Sequence, residues 1–321
     1  MSAPLLLRSP NWLGDAVMAL PAVRSLRRGL PGAELVVAAP ASLAALWRAC
    51  PAVDRVVPLP RPRSYRATVP LLRAAGPKRA LLFPNSFRSA LEMRLAGVHA
   101  LTGLGHAGRR FLLPRAGRVA PRPFSWAALH QQFEYLHLAA ALGGDGDAGG
   151  PEPLLRAGEG SREGVLLCPG AAYGPAKRWP AARFAEVGRA LAALGLGPVF
   201  IHGAPGDRAA AAEVAAGVPG AVNRAGETTP EEFLAAVAGA RLVVTNDSGA
   251  MHVAAACGTP GVAVFGSTEP RRTGPLGESV RVVREHVPCS PCFLRECPLD
   301  FACMERVTVG RVLAACEEAL A

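Results

Sequence analysis

The chain reads as an α/β protein built from two similar halves, and three observations carry that reading. Short apolar runs of strand length alternate with amphipathic runs of helical period, the signature of helices layered on parallel strands. The alternation is interrupted once, by Gly143-Gly-Asp-Gly-Asp-Ala-Gly-Gly150, and then restarts. The length of 321 residues exceeds one ordinary core and suits two domains of about 150 residues each.

In the first half, residues 4–8 read as a strand, and residues 14–29 as one helix with Val17, Leu20, Val23 and Leu26 on its apolar side. A strand over 34–39, a helix over 42–49, a strand over 55–58 and a strand over 80–83 follow. Residues 102–123, rich in Gly and Arg, read as a surface loop, and a helix over 125–142 closes the half. Gly-rich composition makes 143–150 the expected linker. Beyond it come strands over 165–168, 198–202, 241–245 and 261–265. They are interleaved with helices over 181–194, 207–216, 230–238 and 248–257. Domain limits of 1–155 and 156–321 follow, with a last helix over 308–320 expected to pack back on the first half. Two such halves imply a cleft, and ligands of open α/β sheets sit beyond the carboxyl ends of the strands.

Half of the residues are hydrophobic, which suits a packed globular chain. The apolar stretch from Leu242 to Phe265 is broken by Asn246, Asp247, His252, Gly258 and Pro260, against the roughly 20 apolar residues that a bilayer span demands. The apolar run near the N-terminus is too short for a secretory segment, so the expectation is a cytoplasmic protein. Charge is uneven. Residues 1–158 carry 20 Arg and Lys against 8 Asp and Glu, a net of +12, while residues 159–321 carry 15 against 17, a net of −2. The first half therefore suits an anionic partner such as a phosphorylated glycan or an anionic lipid. No nucleic-acid motif accompanies the charge, and nucleic acid is not expected as a partner.

Lys177 is one of two lysines in a chain with 33 arginines. It lies in Cys168-Pro-Gly-Ala-Ala-Tyr173-Gly-Pro-Ala-Lys177-Arg-Trp-Pro180, where an apolar strand hands over to a helix. A compact ammonium among glycines suits a phosphate; an ordinary surface lysine on a βα loop is the other reading. At the second junction, Thr245-Asn-Asp247-Ser248-Gly249-Ala-Met-His252, free amides and the positive end of a helix dipole make an anion site. Simple capping by Asp247 or Ser248, with His252 packed, explains the same residues. Asp15 follows the first strand, placed either to take a proton from a hydroxyl nucleophile or only to stabilise a helix start. Asn85, Ser86 and Arg88 offer amide, hydroxyl and guanidinium groups for a sugar or phosphate, or form a polar turn. Cys289, Cys292, Cys297 and Cys303 fall within fifteen residues, a pattern that suits structural zinc better than an iron–sulfur cluster, whose standard spacings it does not match; a set of reduced thiols, or a disulfide that a cytoplasmic setting disfavours, is the other reading. Cys50, Cys168, Cys257 and Cys316 read as core residues.

Four blocks together, starting at Asn11, Leu82, Pro169 and Thr245, resemble the ADP-heptose:lipopolysaccharide heptosyltransferase family, and within it the heptosyltransferase II branch. The resemblance spans nearly the whole chain. It implies a GT-B fold, two Rossmann-like domains facing each other across a cleft, with the acceptor held by the first and the nucleotide sugar by the second. It implies inverting transfer of heptose from ADP-heptose to a lipid A-Kdo-heptose acceptor at the inner membrane surface, with no cofactor required for catalysis. By motif, Asp15 resembles the general base and Lys177 the cation that neutralises the departing diphosphate. Tyr173, Glu231, Asp247, Ser248, Gly249 and His252 match donor-side positions, and Asn11, Asn85, Ser86 and Arg88 acceptor-side ones. The same motifs fit a relative with another heptose donor or glycan acceptor, and a non-catalytic nucleotide-sugar binder. A nicotinamide-dependent oxidoreductase lacks support, because no Gly-x-Gly-x-x-Gly follows any strand.

Overall fold

The computed structural model describes residues 3–60, 64–105, 107–120, 129–150, 152–156 and 161–321. The chain divides into two compact units, Met1–Arg156 and Ala157–Ala321.

Unit 1 contains β1 (Leu5–Arg8), α1 (Leu13–Met18), α2 (Leu20–Gly29), β2 (Leu35–Pro40), α3 (Ala44–Arg48), β3 (Arg55–Leu59) and α4 (Tyr65–Ala74). It continues with β4 (Arg79–Leu82), α5 (Phe87–Leu95), β5 (Ala100–Leu104), β6 (Arg118–Val119) and α6 (Gln132–Ala140). The strands form one parallel sheet in the order β3-β2-β1-β4-β5-β6. β1 lies at its centre, with Leu6 opposite Val36 on one side and Ala80 on the other. All four of its residues are buried, as a parallel strand covered on both faces requires. Leu6, Val36, Ala38, Leu82 and Met93 lie in one buried cluster of this unit.

Unit 2 repeats the plan with β7 (Glu163–Cys168), α7 (Ala181–Ala193), β8 (Val199–Ile201), α8 (Arg208–Ala216), β9 (Val222–Asn223) and α9 (Pro230–Gly239). Then come β10 (Ala240–Asn246), α10 (Gly249–Ala256), β11 (Gly261–Phe265), α11 (Pro270–Thr273), β12 (Val280–Arg284), α12 (Ala302–Glu305) and α13 (Val309–Leu320). Its parallel sheet runs β12-β11-β10-β7-β8-β9, with Val244 between Leu167 and Val262. Both sheets thus have the doubly wound Rossmann order, reversing direction at β1/β4 and at β7/β10. A crevice opens outside the carboxyl ends of the strands at such a reversal, where ligands bind in this class of sheet. α13 packs on β10, β11, β12 and α7 within unit 2.

Several expected elements differ. The helix expected over 14–29 is two helices, because Pro21, in the first turn of α2, has no N–H to return to Val17 and cannot continue α1. The surface loop expected over 102–120 holds β6 and most of β5; residues 121–123 of that expectation lie outside the described residues. Gly117 makes this packing possible, since a Cβ there would sit 1.8 Å from the Leu101 carbonyl oxygen. Of the helix expected over 125–142, α6 forms from Gln132, and residues 125–128 lie outside the described residues. The Gly-rich stretch is tied to α2 rather than free. Arg28 Nε donates to Asp145 at 2.5 Å and its Nη2 to the Asp147 carbonyl at 2.8 Å. The Arg28 hydrogen bond holds the Asp145 carboxyl well below its ordinary range.

Candidate active site

In unit 1, the loops after β1 and β4 line one pocket of about 350 Å³ that includes Asn11, Trp12, Asp15, Asn85, Ser86 and Glu134. Asp15 lies in the first turn of α1, half-buried. Its Oδ1 accepts a hydrogen bond from Gln131 Nε2 at 3.2 Å, and the same amide lies 2.8 Å from Tyr135 Oη. Gln131 and Tyr135 stand one helical turn apart, so one edge of α6 addresses the carboxylate. Burial, and then the Asp15 charge, raises the Tyr135 phenol well above its ordinary value. It therefore stays a neutral hydrogen-bonding group.

The other wall is set by Arg109, which is 1% exposed. Its Nε donates to the Leu104 carbonyl at 3.0 Å, its Nη1 to the Pro84 carbonyl, and its Nη2 to Asn85 Oδ1 at 3.1 Å. With its oxygen so held, Asn85 turns its Nδ2 to Glu134 at 3.3 Å. Burial lowers the Arg109 guanidinium to about 10, which leaves it a cation at neutral pH. Ser86 lines the pocket but also caps α5, accepting from the Ser89 amide at 3.2 Å. Arg88 stands apart from these lining residues. Its Nε pairs with buried Glu92 at 2.9 Å, and its guanidinium lies 5.0 Å from the Tyr65 ring centroid.

In unit 2, the sheet order makes β7 and β10 neighbours, and this brings together the two junctions singled out in the sequence. Lys177 Nζ lies 2.6 Å from Asp247 Oδ2, with side chains 12% and 4% exposed. Thr268 Oγ1 donates to the same Asp247 oxygen. The ammonium also sits 4.8 Å from the Tyr173 ring centroid, within cation–π range. Ser248 is the N-cap of α10, its Oγ accepting from the Ala250 amide at 3.3 Å. Gly249 opens that helix and buried His252 lies one turn along it. A cation beside free amides at the start of an eight-residue helix is suited to an anion. Glu231 is exposed in the first turn of α9, while its neighbour Glu232 makes the capping box with Thr229.

Asn246, fully buried, fastens the two junctions. Its Oδ1 accepts from the Trp179 amide at 2.9 Å, and its Nδ2 donates to the Pro169 carbonyl at 2.7 Å. Asn246→Ala leaves a buried N–H and C=O without these partners, each worth about 1–3 kcal/mol. The expected loss is about 3 kcal/mol of unfolding free energy, read as a lower denaturation midpoint with an unchanged slope.

The structure gives no support to the zinc site that the spacing of the four clustered cysteines suggests. Among the described residues, no group of three or more His, Cys, Asp or Glu side chains is placed to hold a metal ion. Cys303 is buried on α12, whereas Cys289 is exposed and Cys292 and Cys297 are half-buried. Burial, followed by the neighbouring thiols of Cys289, Cys292 and Cys297, raises the Cys303 pKa. The other four cysteines are buried as expected, and burial pushes Cys50 and Cys257 up to about 11 and Cys168 and Cys316 to about 12.

Gln131, Glu134 and Tyr135 are pocket residues that the sequence reading missed, together with buried Arg109, which holds the lining residues Pro84 and Asn85. Gln131 and Tyr135 carry a usable signal, two polar groups at i and i+4 on a helix. Arg109 carries none, being one arginine in a run of them.

The chain resembles proteins whose activity is known. Residues 70–302 match the family model described as "Glycosyltransferase family 9 (heptosyltransferase)". Lipopolysaccharide heptosyltransferase 2 of Salmonella typhimurium is 34% identical over 309 residues, and that of Escherichia coli K12 33% over 309 residues. Each match covers 87% of both chains. The solved structure titled "Structure of E. coli ADP-heptose lps heptosyltransferase II" aligns with a TM-score of 0.80 and 30% identity, covering 99% of this chain and 98% of that one. With two doubly wound units of the GT-B class and this coverage, the chain belongs to glycosyltransferase family 9, the heptosyltransferases.

Proposed function

We propose that this protein is an inverting transferase that moves L-glycero-D-manno-heptose from ADP-heptose to a heptose of the lipopolysaccharide inner core. The observation that carries the reading is the Lys177–Asp247 pair at the head of α10, at the reversal of the unit 2 sheet. A diphosphate would find there one ammonium and the amides of a helix start. Lys177 then neutralises the charge that grows on departing ADP, and Ser248, Gly249 and His252 surround the donor phosphates and sugar. Tyr173 borders the cation, and Glu231 serves the ribose. In unit 1, Asn11, Asn85 and Ser86 bind the acceptor sugar, and Arg88 an anionic group beside it.

The reaction is a single displacement. The acceptor oxygen attacks the anomeric carbon, a C–O bond forms, and the bond from that carbon to the diphosphate oxygen breaks. The hydroxyl proton passes to Asp15 and ADP leaves with the bonding electrons. No cofactor takes part in this scheme. The acceptor is lipid A-Kdo-heptose, and the protein works in the cytoplasm, peripherally on the inner membrane. The +12 charge of residues 1–158 and the exposed Trp12, Phe87 and Phe111 of unit 1 support that placement, since basic and aromatic side chains together favour an anionic lipid surface. No helix of the described residues is long and apolar enough to cross a membrane.

The experiment is a mass-spectrometric screen of nucleotide sugars against inner-core acceptors. ADP-heptose with a heptosylated lipid A-Kdo acceptor should yield a product heavier by one heptosyl unit. Transfer from a uridine or guanosine sugar with none from ADP-heptose would overturn the reading.

A further inference from the structure

The segment between β12 and α12 has no part in the scheme so far. Its polar contacts link both sides of the Lys177–Asp247 pair. On the lysine side, Tyr173 Oη donates to the Phe293 carbonyl at 2.6 Å, and Arg295 Nε donates to the Tyr173 carbonyl at 2.7 Å. The Ala176 amide donates to the Arg295 carbonyl at 3.0 Å. The Arg295 guanidinium lies 5.6 Å from the centroid of the Tyr173 ring, the ring that also borders Lys177 Nζ. Gly174, at φ +157°, permits this approach, because a Cβ there would stand 2.4 Å from the Arg295 carbonyl oxygen.

On the aspartate side, the Phe293 amide donates to the Ser267 carbonyl at 2.7 Å, and Ser290 Oγ to the Gly266 carbonyl at 2.6 Å. Ser267 immediately precedes Thr268, the hydroxyl that holds Asp247. Phe293 itself is left-handed, with φ +58°, a conformation that a bulky residue adopts only where its surroundings over-determine it. One short arm thus fastens the turn that carries Lys177 and the turn that supports its counter-ion.

We propose that this arm is a clamp that sets the position of Lys177, with Arg295 as its principal positioning residue. The inference rests on the reading that Lys177 meets the donor diphosphate. Arg295 is exposed and bonds to loop backbone, so its loss should loosen the 173–177 turn without unfolding unit 2. The Lys177 ammonium then spends less time where a phosphate can use it.

The test is a double-substitution cycle read by ADP binding to the full chain. Arg295→Ala should raise the ADP dissociation constant about tenfold, or about 1.4 kcal/mol, with the thermal midpoint nearly unchanged. Arg295→Lys, which keeps a donor for the Tyr173 carbonyl, should recover most of the affinity. In a Lys177→Ala background, Arg295→Ala should add almost nothing. A full tenfold loss in that background, or no loss in either, would overturn the clamp. If the wild-type chain fails to bind ADP, the donor reading fails separately. The clamp is then decided by amide exchange of residues 173–177 in Arg295→Ala: faster exchange supports it and unchanged exchange removes it.

Discussion

Asp15→Asn is expected to lower turnover by about 10²- to 10⁴-fold, the usual worth of a positioned general base, while ADP affinity stays within about twofold. The substitution is nearly isosteric, and the amide oxygen can still accept from Gln131, as Oδ1 does at 3.2 Å. Loss of activity would therefore report the missing base rather than a collapsed pocket. Lys177 and Asp247, the proposed donor groups, belong to unit 2 and Asp15 to unit 1, so binding and chemistry should separate in the measurements. Single-turnover rates with ADP-heptose and acceptor, beside calorimetric ADP binding, make the comparison. Turnover within about threefold of wild type would take Asp15 out of the mechanism.

Lys177→Ala should have a comparable effect through a different route. Removing a preorganised group that meets developing charge lowers turnover about 10²- to 10³-fold, and here ADP affinity should fall as well. The ammonium is held before any ligand arrives, by Asp247 and the face of Tyr173. Its removal also leaves the buried Asp247 carboxylate, to which Thr268 still donates, without its counter-ion, and breaking one side of a buried pair costs about 3–5 kcal/mol. The variant should consequently melt earlier, and kinetics must be measured well below its midpoint. Lys177→Arg separates charge from shape: a planar fork should keep much of the stability and recover only part of the rate. Full recovery by Arg would show that any cation suffices.

Both predictions start from residues legible in the sequence, but for different physical reasons. Strand cores such as Leu5–Leu7 and Leu242–Val244 could be read because a parallel strand buried on both faces is a continuous apolar run. The start of α10 could be read because Ser248 and Gly249 are local capping chemistry. What sequence could not supply is adjacency. Lys177 and Asp247 are seventy positions apart, and they pair because β10 lies beside β7 in the sheet order. Asn246, which bridges the two junctions, looks in the sequence like one more polar residue at a strand end. The edge strands β6, β9 and β12 also escape the sequence, although the edge strand β3 does not. β12 reads Val-Arg-Val-Val-Arg with two exposed positions, and β6 has two residues in an arginine-rich stretch. Neither gives the continuous apolar signal of a central strand. The cysteine spacing fixes only separation along the chain, whereas α12 places Cys303 in the buried core cluster of unit 2.

The proposed reaction couples release of ADP from ADP-heptose to glycosylation of a heptosylated inner-core acceptor. The most direct test follows ADP release with and without that acceptor, with the wild-type protein beside Asp15→Asn and Lys177→Ala. Release should depend on acceptor, be matched by glycosylated product and nearly vanish in both variants. Release at the same rate without acceptor, or in either variant, would contradict it.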